Sequence, residues 1–316
     1  MKKMNNKVHL EGRLYQHNLE KKVTGPQSKK PGTEYIQGTI EVATDDDITN
    51  IVSVHFSYIT EVTSTGKTDT RFKVLSDIID GKYLTCMADG ADVATKVSVD
   101  TAIGINDFYT DRQKDENGDP TLVSAKRNEG GFIRIVNNLK ESDKDRNYFN
   151  VDIVITGVTR KEADEERGLP EKGIIKGAIF DFRNALLPVE FSVTNPKAID
   201  YFEGLEASAK SPVFTAIKGT QISEVVKKTI TVEGAFGDEV REVENNRKDW
   251  TIYWAQSEPY EFDDDATITK AELTKAMTDR QTMLAEVKQR YLDYKATAGS
   301  ASDTKPAAAS GDKFEF

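Results

Sequence analysis

The alternation of apolar and polar residues predicts a chain built mainly of β-strands. In the first stretch, Val8, Leu10 and Leu14 are apolar and mainly polar residues stand between them, the two-residue period of a half-buried strand. Comparable stretches predict further strands near residues 35–42, 51–59, 83–87, 97–105 and 132–136. Between the third and fourth strands, the apolar spacing of residues 72–79 predicts a short helix.

The second half of the chain follows the same plan. Strands are predicted near residues 149–158, 173–182, 186–193, 213–217, 229–236 and 250–255. A helix is predicted at residues 196–209, because Asn195 is suited to cap a helix and Pro196 to occupy its first turn. A helix therefore follows the third strand in both halves.

Short segments of the two halves also match one another in the same order. The matching pairs are Val8–Leu14 with Ile153–Val158, Tyr35–Ile40 with Ile174–Ile179, and Val52–Ser57 with Leu187–Ser192. Glycine is disfavoured inside strands, yet it recurs within the matched segments. We interpret the pattern as a tandem duplication. The alternative is that all-β chains resemble themselves through alternation alone.

Three strands, a helix and further strands form the order of the five-stranded Greek-key barrel called the OB-fold. A β-sandwich would give similar strands, but the helix in both halves favours the barrel. We therefore predict a mainly β protein with two tandem OB-like barrels, a long C-terminal helix and a disordered tail. The predicted boundaries are residues 1–145 and 146–258 for the barrels, 259–296 for an acidic loop and the helix, and 297–316 for the tail.

The C-terminal helix is predicted from a capping box and an apolar stripe. Thr269 and Glu272 have the spacing of the capping box, and apolar residues recur from Leu273 at steps of three and four, interrupted by Arg280. We expect the stripe to pack on its own domain, with a second subunit as the alternative. Residues 297–311 are composed mainly of Ala, Ser, Gly, Thr and Pro, the composition of a disordered linker.

Composition and charge narrow the class of protein. The chain has 316 residues and a net charge of −10, but residues 1–34 contain eight Lys or Arg against three Glu. No run of apolar residues is long enough for a transmembrane helix. The single cysteine, Cys86, excludes an internal disulfide and most metal clusters. We therefore expect a cytoplasmic protein with no membrane association.

The search for catalytic motifs finds none. The chain lacks a phosphate-binding glycine loop followed by lysine, a serine nucleophile elbow and a zinc-protease histidine pair. Its three histidines, His9, His17 and His55, do not have the spacing of a zinc site. We expect no enzymatic activity, no catalytic residues, no cofactor and no metal.

Cationic and aromatic residues on the predicted outer faces indicate nucleic-acid binding instead. Single strands are held by cationic grooves and by rings on which bases stack. The candidate residues are Lys7, Arg13, Tyr15, Lys21, Lys22, Lys29, Lys30, Tyr35, His55, Arg71, Lys176, Phe180 and Trp254. The alternative is that Phe180 and the tryptophans seal the domains or seat the C-terminal helix, and that the basic segment is a solvated loop.

The segment Asn6–Leu14 resembles the first strand of bacterial and bacteriophage single-stranded DNA-binding proteins, which carry a polar-Val-x-Leu-x-Gly-Arg-Leu opening. The resemblance extends over the layout of residues 1–136 and of 297–316. It implies an OB-fold protein of phage or mobile-element origin that binds single-stranded DNA, without strong sequence preference, during replication or recombination. The tail here lacks a run of acids, includes Lys313 and follows two modules instead of one.

The resemblance also implies a docking role for the tail. Its matching residues, Asp312, Phe314, Glu315 and Phe316, would recruit replication or recombination proteins. Two alternatives remain at this stage. One is a virion or tail assembly protein that uses the barrels to dock other proteins, and the other is an accessory factor that loads a nuclease or helicase. The sequence leaves the oligomeric state open.

Overall fold

The computed structural model describes residues 4–301 except 64, 117, 165–169, 233–238 and 263–266; of residues 113, 224–246 and 298–301 it describes the backbone alone. The predicted tail residues Asp312, Phe314, Glu315 and Phe316 therefore lie outside the described part of the chain. No helix in the described ranges has the length and apolar character needed to cross a membrane.

Five strands of the first half close into a barrel. The elements in order are β1 (Asn6–His17), β2 (Glu20–Val23), β3 (Glu34–Ala43), β4 (Ile51–Thr60), α1 (Thr70–Ile79), α2 (Cys86–Asp89), β5 (Lys96–Lys114) and β6 (Pro120–Ile135). Strand β1 pairs antiparallel with β3 and β5, β3 pairs with β4, and β4 runs parallel to β6. With β6 beside β5, this is the closed order of an OB barrel, and β2 is added to the edge of β3.

The second half repeats this barrel. Its elements are α3 (Asp143–Arg146), β7 (Asn147–Lys161), β8 (Lys172–Phe180), β9 (Leu186–Val193), α4 (Pro196–Gly204), β10 (Val213–Val232), β11 (Glu239–Ala255) and α5 (Lys270–Ala301). Strand β7 pairs with β8 and β10, β8 pairs with β9, and β9 runs parallel to β11. The predicted fold class, two tandem OB-like barrels with a long C-terminal helix, is confirmed.

The two barrels share one sheet and one core. Strands β1 and β7 pair antiparallel, with Val8 opposite Phe149. Buried residues of both barrels form one hydrophobic cluster, which includes Phe56 in the first and Phe191 in the second. A buried amide pair also joins them: Asn128 and Gln221 each donate to the other, at 2.8 and 3.1 Å. Paired polar groups of this kind fix the position of one barrel on the other.

The predicted helices are present, but their ends differ from the prediction. Helix α4 ends at Gly204 and not at residue 209, and α5 continues to Ala301, past the predicted end at residue 296. Helix α1 covers the predicted 72–79, and Asn195 caps α4 by accepting from Lys197 N–H at 3.0 Å, with Pro196 in the first turn. The capping box forms as predicted, since the N–H of Glu272 donates to Thr269 Oγ1 and the N–H of Thr269 donates to Glu272 Oε2.

The strand predictions differ from the structure in three places. Residues 83–87 form no strand, because Thr85 caps the short helix α2 by accepting from Ala88 N–H at 3.2 Å. The strands predicted at 213–217 and 229–236 are one strand, β10, which runs to Val232. The polar stretch before β3 includes the edge strand β2, which sequence alternation did not reveal.

The outer end of the β5–β6 hairpin and α5 from Met277 onwards form a compact unit separate from the barrels. Arg280 Nη2 lies 2.8 Å from Asp107 Oδ1, and both side chains are buried. The rings of Tyr109 and Tyr291 pack with centroids 5.8 Å apart. Arg280, which interrupts the apolar stripe in the sequence, therefore has an ionic partner on the hairpin.

Candidate nucleic-acid interface

The hairpin formed by β2 and β3 carries four of the predicted lysines. Lys21 Nζ lies 3.0 Å from Asp80 and Lys22 Nζ lies 3.0 Å from Glu20. Within the described part of the chain, Lys29 and Lys30 are exposed and have no ion-pair partner. The turn that presents them is held by Thr24, whose N–H donates to Thr33 O at 3.0 Å. Two unneutralised cations thus project from an ordered turn.

Beside these lysines, two tyrosine rings lie on the outer face of the first barrel. Tyr35 on β3 and Tyr58 on β4 have ring centroids 4.7 Å apart, and Tyr58 is 49% exposed. Tyr35 was predicted as a site residue and Tyr58 was not. A strict alternation with the buried Phe56 would place Tyr58 inside the barrel.

A β-bulge turns Tyr58 outward. Between two paired positions, β4 advances from Ile59 to Phe56, whereas β3 advances only from Ile36 to Gly38. The extra residue leaves both Ser57 and Tyr58 exposed. Gly38 has φ +130°, and a Cβ there would lie 2.6 Å from Asn18 O, so only glycine fits at this position.

Lys29, Lys30 and Tyr58 line one groove, which we call the lysine–tyrosine groove. Its volume is about 260 Å³ and its lining is Ser28, Lys29, Lys30, Thr33, Tyr58, Thr60 and Val62. Ammonium groups attract phosphate, and an exposed ring offers its face to a base. The groove therefore combines the two groups that binding of an unpaired polynucleotide requires.

A second groove, the polar face groove, lies further along the same strands and has a volume of about 500 Å³. It is lined by Gln16, His17, Asn18, Thr39, Glu41, Ser53, His55, Arg127 and Asn128. Partial burial lowers the pKa of His55, and the nearby Arg127 lowers that pKa further. At neutral pH the His55 ring is therefore uncharged and can act only as a hydrogen-bonding or stacking group.

Other predicted site residues lie apart from these grooves. Arg13 Nη1 lies 3.5 Å from Asp46, which also binds Arg146 at 2.8 Å. Arg71 lies in the first turn of α1, where its Nε donates to Asp69 Oδ1 at 2.9 Å.

The candidates on other strands are likewise distributed over both barrels. Tyr15 is half-buried on β1. Lys7 is exposed and lines a groove at the junction of the barrels. On the second barrel, Lys176 lies 3.4 Å from Glu190, and Trp254 is 44% exposed with Lys218 Nζ 4.9 Å from its ring.

The prediction that Phe180 stacks a base is wrong. Phe180 points out of the second barrel as the alternation predicts, but it is fully buried there. It packs in a second hydrophobic cluster with Met4, Phe214, Ile268 and Ala276. The segment that leads into α5 covers this face, so Phe180 seats the C-terminal helix.

Acidic and metal-binding chemistry gives no competing site in the described ranges, where no three His, Cys, Asp or Glu side chains are grouped to hold a metal ion. Asp45, the first of three consecutive aspartates between β3 and β4, is engaged locally. Asp45 accepts from the N–H of Thr49 and of Asn50, at 2.9 Å each, and these bonds with the Thr49 hydroxyl help to lower its pKa against the opposing effect of burial.

Comparison with known proteins identifies a family whose model matches most of the chain. The model of the YorF family matches residues 4–290. No curated protein matches the chain. Among solved structures, the chain is similar to a deletion mutant of the single-stranded DNA binding protein from Thermus aquaticus, with 10% sequence identity and a TM-score of 0.46 over 83% of this chain and 98% of that chain.

Proposed function

The chain belongs to the YorF family, and we propose that it binds single-stranded DNA without strong sequence preference. The observation that carries the proposal is the lysine–tyrosine groove, in which Lys29 and Lys30 lie beside the exposed ring of Tyr58. The groove lies on the first barrel, where β3 and β4 present their outer face.

The chemistry of the groove explains both affinity and low specificity. Each base that stacks on an aromatic side chain contributes about 1–3 kcal/mol, and every base has such a face. Lysines neutralise phosphates and release counterions, so the affinity falls as salt rises. The net charge of −10 belongs to the whole chain and mainly affects its solubility. The local positive charge of the β2–β3 hairpin is what attracts the phosphates of an approaching DNA strand.

We further propose that the protein acts without enzymatic activity in replication or recombination, in a phage or mobile element and in the cytoplasm. The resemblance of Asn6–Leu14 to the first strand of single-stranded DNA-binding proteins supports this role. In the same proposal, the C-terminal residues recruit replication or recombination proteins.

The test is a fluorescence titration with labelled oligo-dT at two salt concentrations. We expect tight binding at low salt, and we expect Lys29→Ala/Lys30→Ala to lower the slope of log K against log salt by about 1.4, at about 0.7 per phosphate contact. The matched control is Lys197→Ala/Lys210→Ala, because these lysines are exposed on and after α4 of the second barrel.

Two outcomes would contradict the proposal. One is the absence of binding by the wild-type protein at low salt. The other is an equal salt slope for the groove variant and the control variant. Stable oligomers in light scattering that do not respond to DNA would instead favour the assembly-protein alternative.

A further inference from the structure

The junction of the two barrels contains the largest of the described grooves, with a volume of about 630 Å³. The start of β1 and the middles of β5 and β6 form one wall, and the turn between β8 and β9 forms the other. Its polar and aromatic lining includes Lys7, Arg127, Glu129, Asp181 and Phe182. We call it the junction groove.

Phe182 is held away from the core by an ordered turn. The carboxylate of Asp181 accepts from the N–H of Arg183 and of Ala185, both at 2.8 Å. Asn184 takes the left-handed conformation, with φ +63°, that closes the turn. Phe182 is 75% exposed, and the guanidinium of Arg183 lies 5.0 Å from its ring centroid. The turn thus presents a ring and a cation together.

The charges of the junction groove suit a polyanion. Lys7 is exposed and has no ion-pair partner in the described ranges. Both acids are already engaged: Asp181 holds its own turn, and Glu129 is paired with Arg127 and accepts from Ser57 Oγ at 3.1 Å. Within the described ranges, the positive groups at this groove without an acidic partner are therefore Lys7 and Arg183, the neighbour of Phe182.

The junction groove is continuous with the face already described. Arg127 lines both the junction groove and the polar face groove. On β4, Ser53 and His55 line the polar face groove, and Tyr58 and Thr60, further along the strand, line the lysine–tyrosine groove. The three grooves follow one another from the basic hairpin to the second barrel.

We propose that the junction groove is a second binding station for the same DNA strand. The strand crosses from the lysine–tyrosine groove over Arg127 into the junction, where one base stacks on Phe182 and a phosphate faces Lys7. This inference rests on the proposed function. It assigns base stacking on the second barrel to Phe182, because Phe180 is buried and cannot stack a base.

The experiment compares a short and a long oligonucleotide, (dT)6 and (dT)25, in titrations of the full chain. We expect Phe182→Ala to weaken binding of the long strand about 10-fold and to leave binding of the short strand unchanged, because stacking of one base is lost. The matched control is Tyr253→Ala, since this ring is 47% exposed and lies on the second barrel in a different groove. It should change neither affinity.

A cross-linking measurement locates the contact directly. A (dT)25 strand that carries 5-iodouracil should give an adduct on the peptide that contains Phe182, and (dT)6 should not. Equal affinities of Phe182→Ala and wild type for (dT)25, or no adduct on that peptide, would overturn the inference. If (dT)6 binds and depends on Lys29 and Lys30 in these cases, the proposed function stands alone, whereas a failure of both strands to bind would overturn the proposed function itself.

Discussion

The two barrels have the same strand order and similar interiors, but their outer faces differ. The strands β4 and β9 occupy matching places in the two barrels, and Phe56 and Phe191 are buried at matching positions in them. The residue just before this phenylalanine differs, since it is His55 in β4 and Glu190 in β9. The positions that fill the core are therefore alike in the two barrels. The outward positions have diverged, and only the first barrel joins two lysines and a tyrosine in one described groove.

The segment between β1 and β3 and the matching segment between β7 and β8 differ in the same direction. Residues 18–33 of the first barrel contain four lysines and one glutamate, and residues 162–171 of the second contain five acids and one arginine. Since phosphate is attracted by the first and repelled by the second, we expect the first barrel to provide the primary contact. The second barrel then contributes through its junction with the first.

The largest expected effect concerns the shared interior. Phe56→Ala and Phe191→Ala should each lower the free energy of unfolding by about 3–5 kcal/mol, because each removes a fully buried ring. Urea denaturation followed by circular dichroism measures the loss. The control is Phe132→Ala, at a ring that is 61% exposed, which should change stability by less than about 0.5 kcal/mol. If only one of the two variants lost stability, the interiors of the two barrels would not be equivalent.

A smaller effect is expected at Lys126, which reaches from the first barrel onto rings of the second. Its Nζ lies 4.4 Å from the ring centroid of Phe191 and 4.8 Å from that of Trp250. Burial lowers the pKa of Lys126 to about 7, although Asp249 and Glu190 oppose the shift. Between pH 7 and the ordinary lysine pKa, about 10.4, the unfolded chain binds more protons than the folded chain, so stability rises with pH.

We therefore expect Lys126→Met to be more stable than wild type by about 1–4 kcal/mol below pH 7, because the variant does not bury an ammonium group. The difference should shrink as the pH rises from 7 towards 10. Urea denaturation at pH 6, 7, 8, 9 and 10 checks both statements, with Lys197→Met as the control for an exposed lysine. A difference that is independent of pH would contradict the shifted titration.

The sequence predicted what local chemistry determines. The cap at Asn195 and the capping box at Thr269 depend on neighbouring residues, and both are found in the structure. The direction of Phe180 was also predictable from alternation. The sequence left two alternatives for its surroundings, an exposed ring or a seat for the C-terminal helix, and it could not decide between them because the segment before α5 approaches from far along the chain.

The missed site residue has a different cause. Tyr58 is exposed because one extra residue in β4 shifts the alternation, and nothing in the sequence of β4 itself marks that bulge. The signal lies in its partner strand, where Gly38 has the positive φ and the close approach of a bulge site. A glycine inside a strand therefore indicates where strict alternation should not be extended.

The smallest expected effect tests the divergence of the two faces. Glu190 occupies the position that matches His55 and lies 3.4 Å from Lys176 Nζ. Glu190→Gln should remove one repulsive charge and release Lys176 towards phosphate, which we expect to raise oligo-dT affinity about threefold and to steepen the salt slope by about 0.7. The control is Glu141→Gln, at an exposed glutamate before α3, which should change neither value. If both variants bind as the wild type does, the face of the second barrel lies outside the path of the DNA, and the comparison between the faces reduces to the first barrel and the junction.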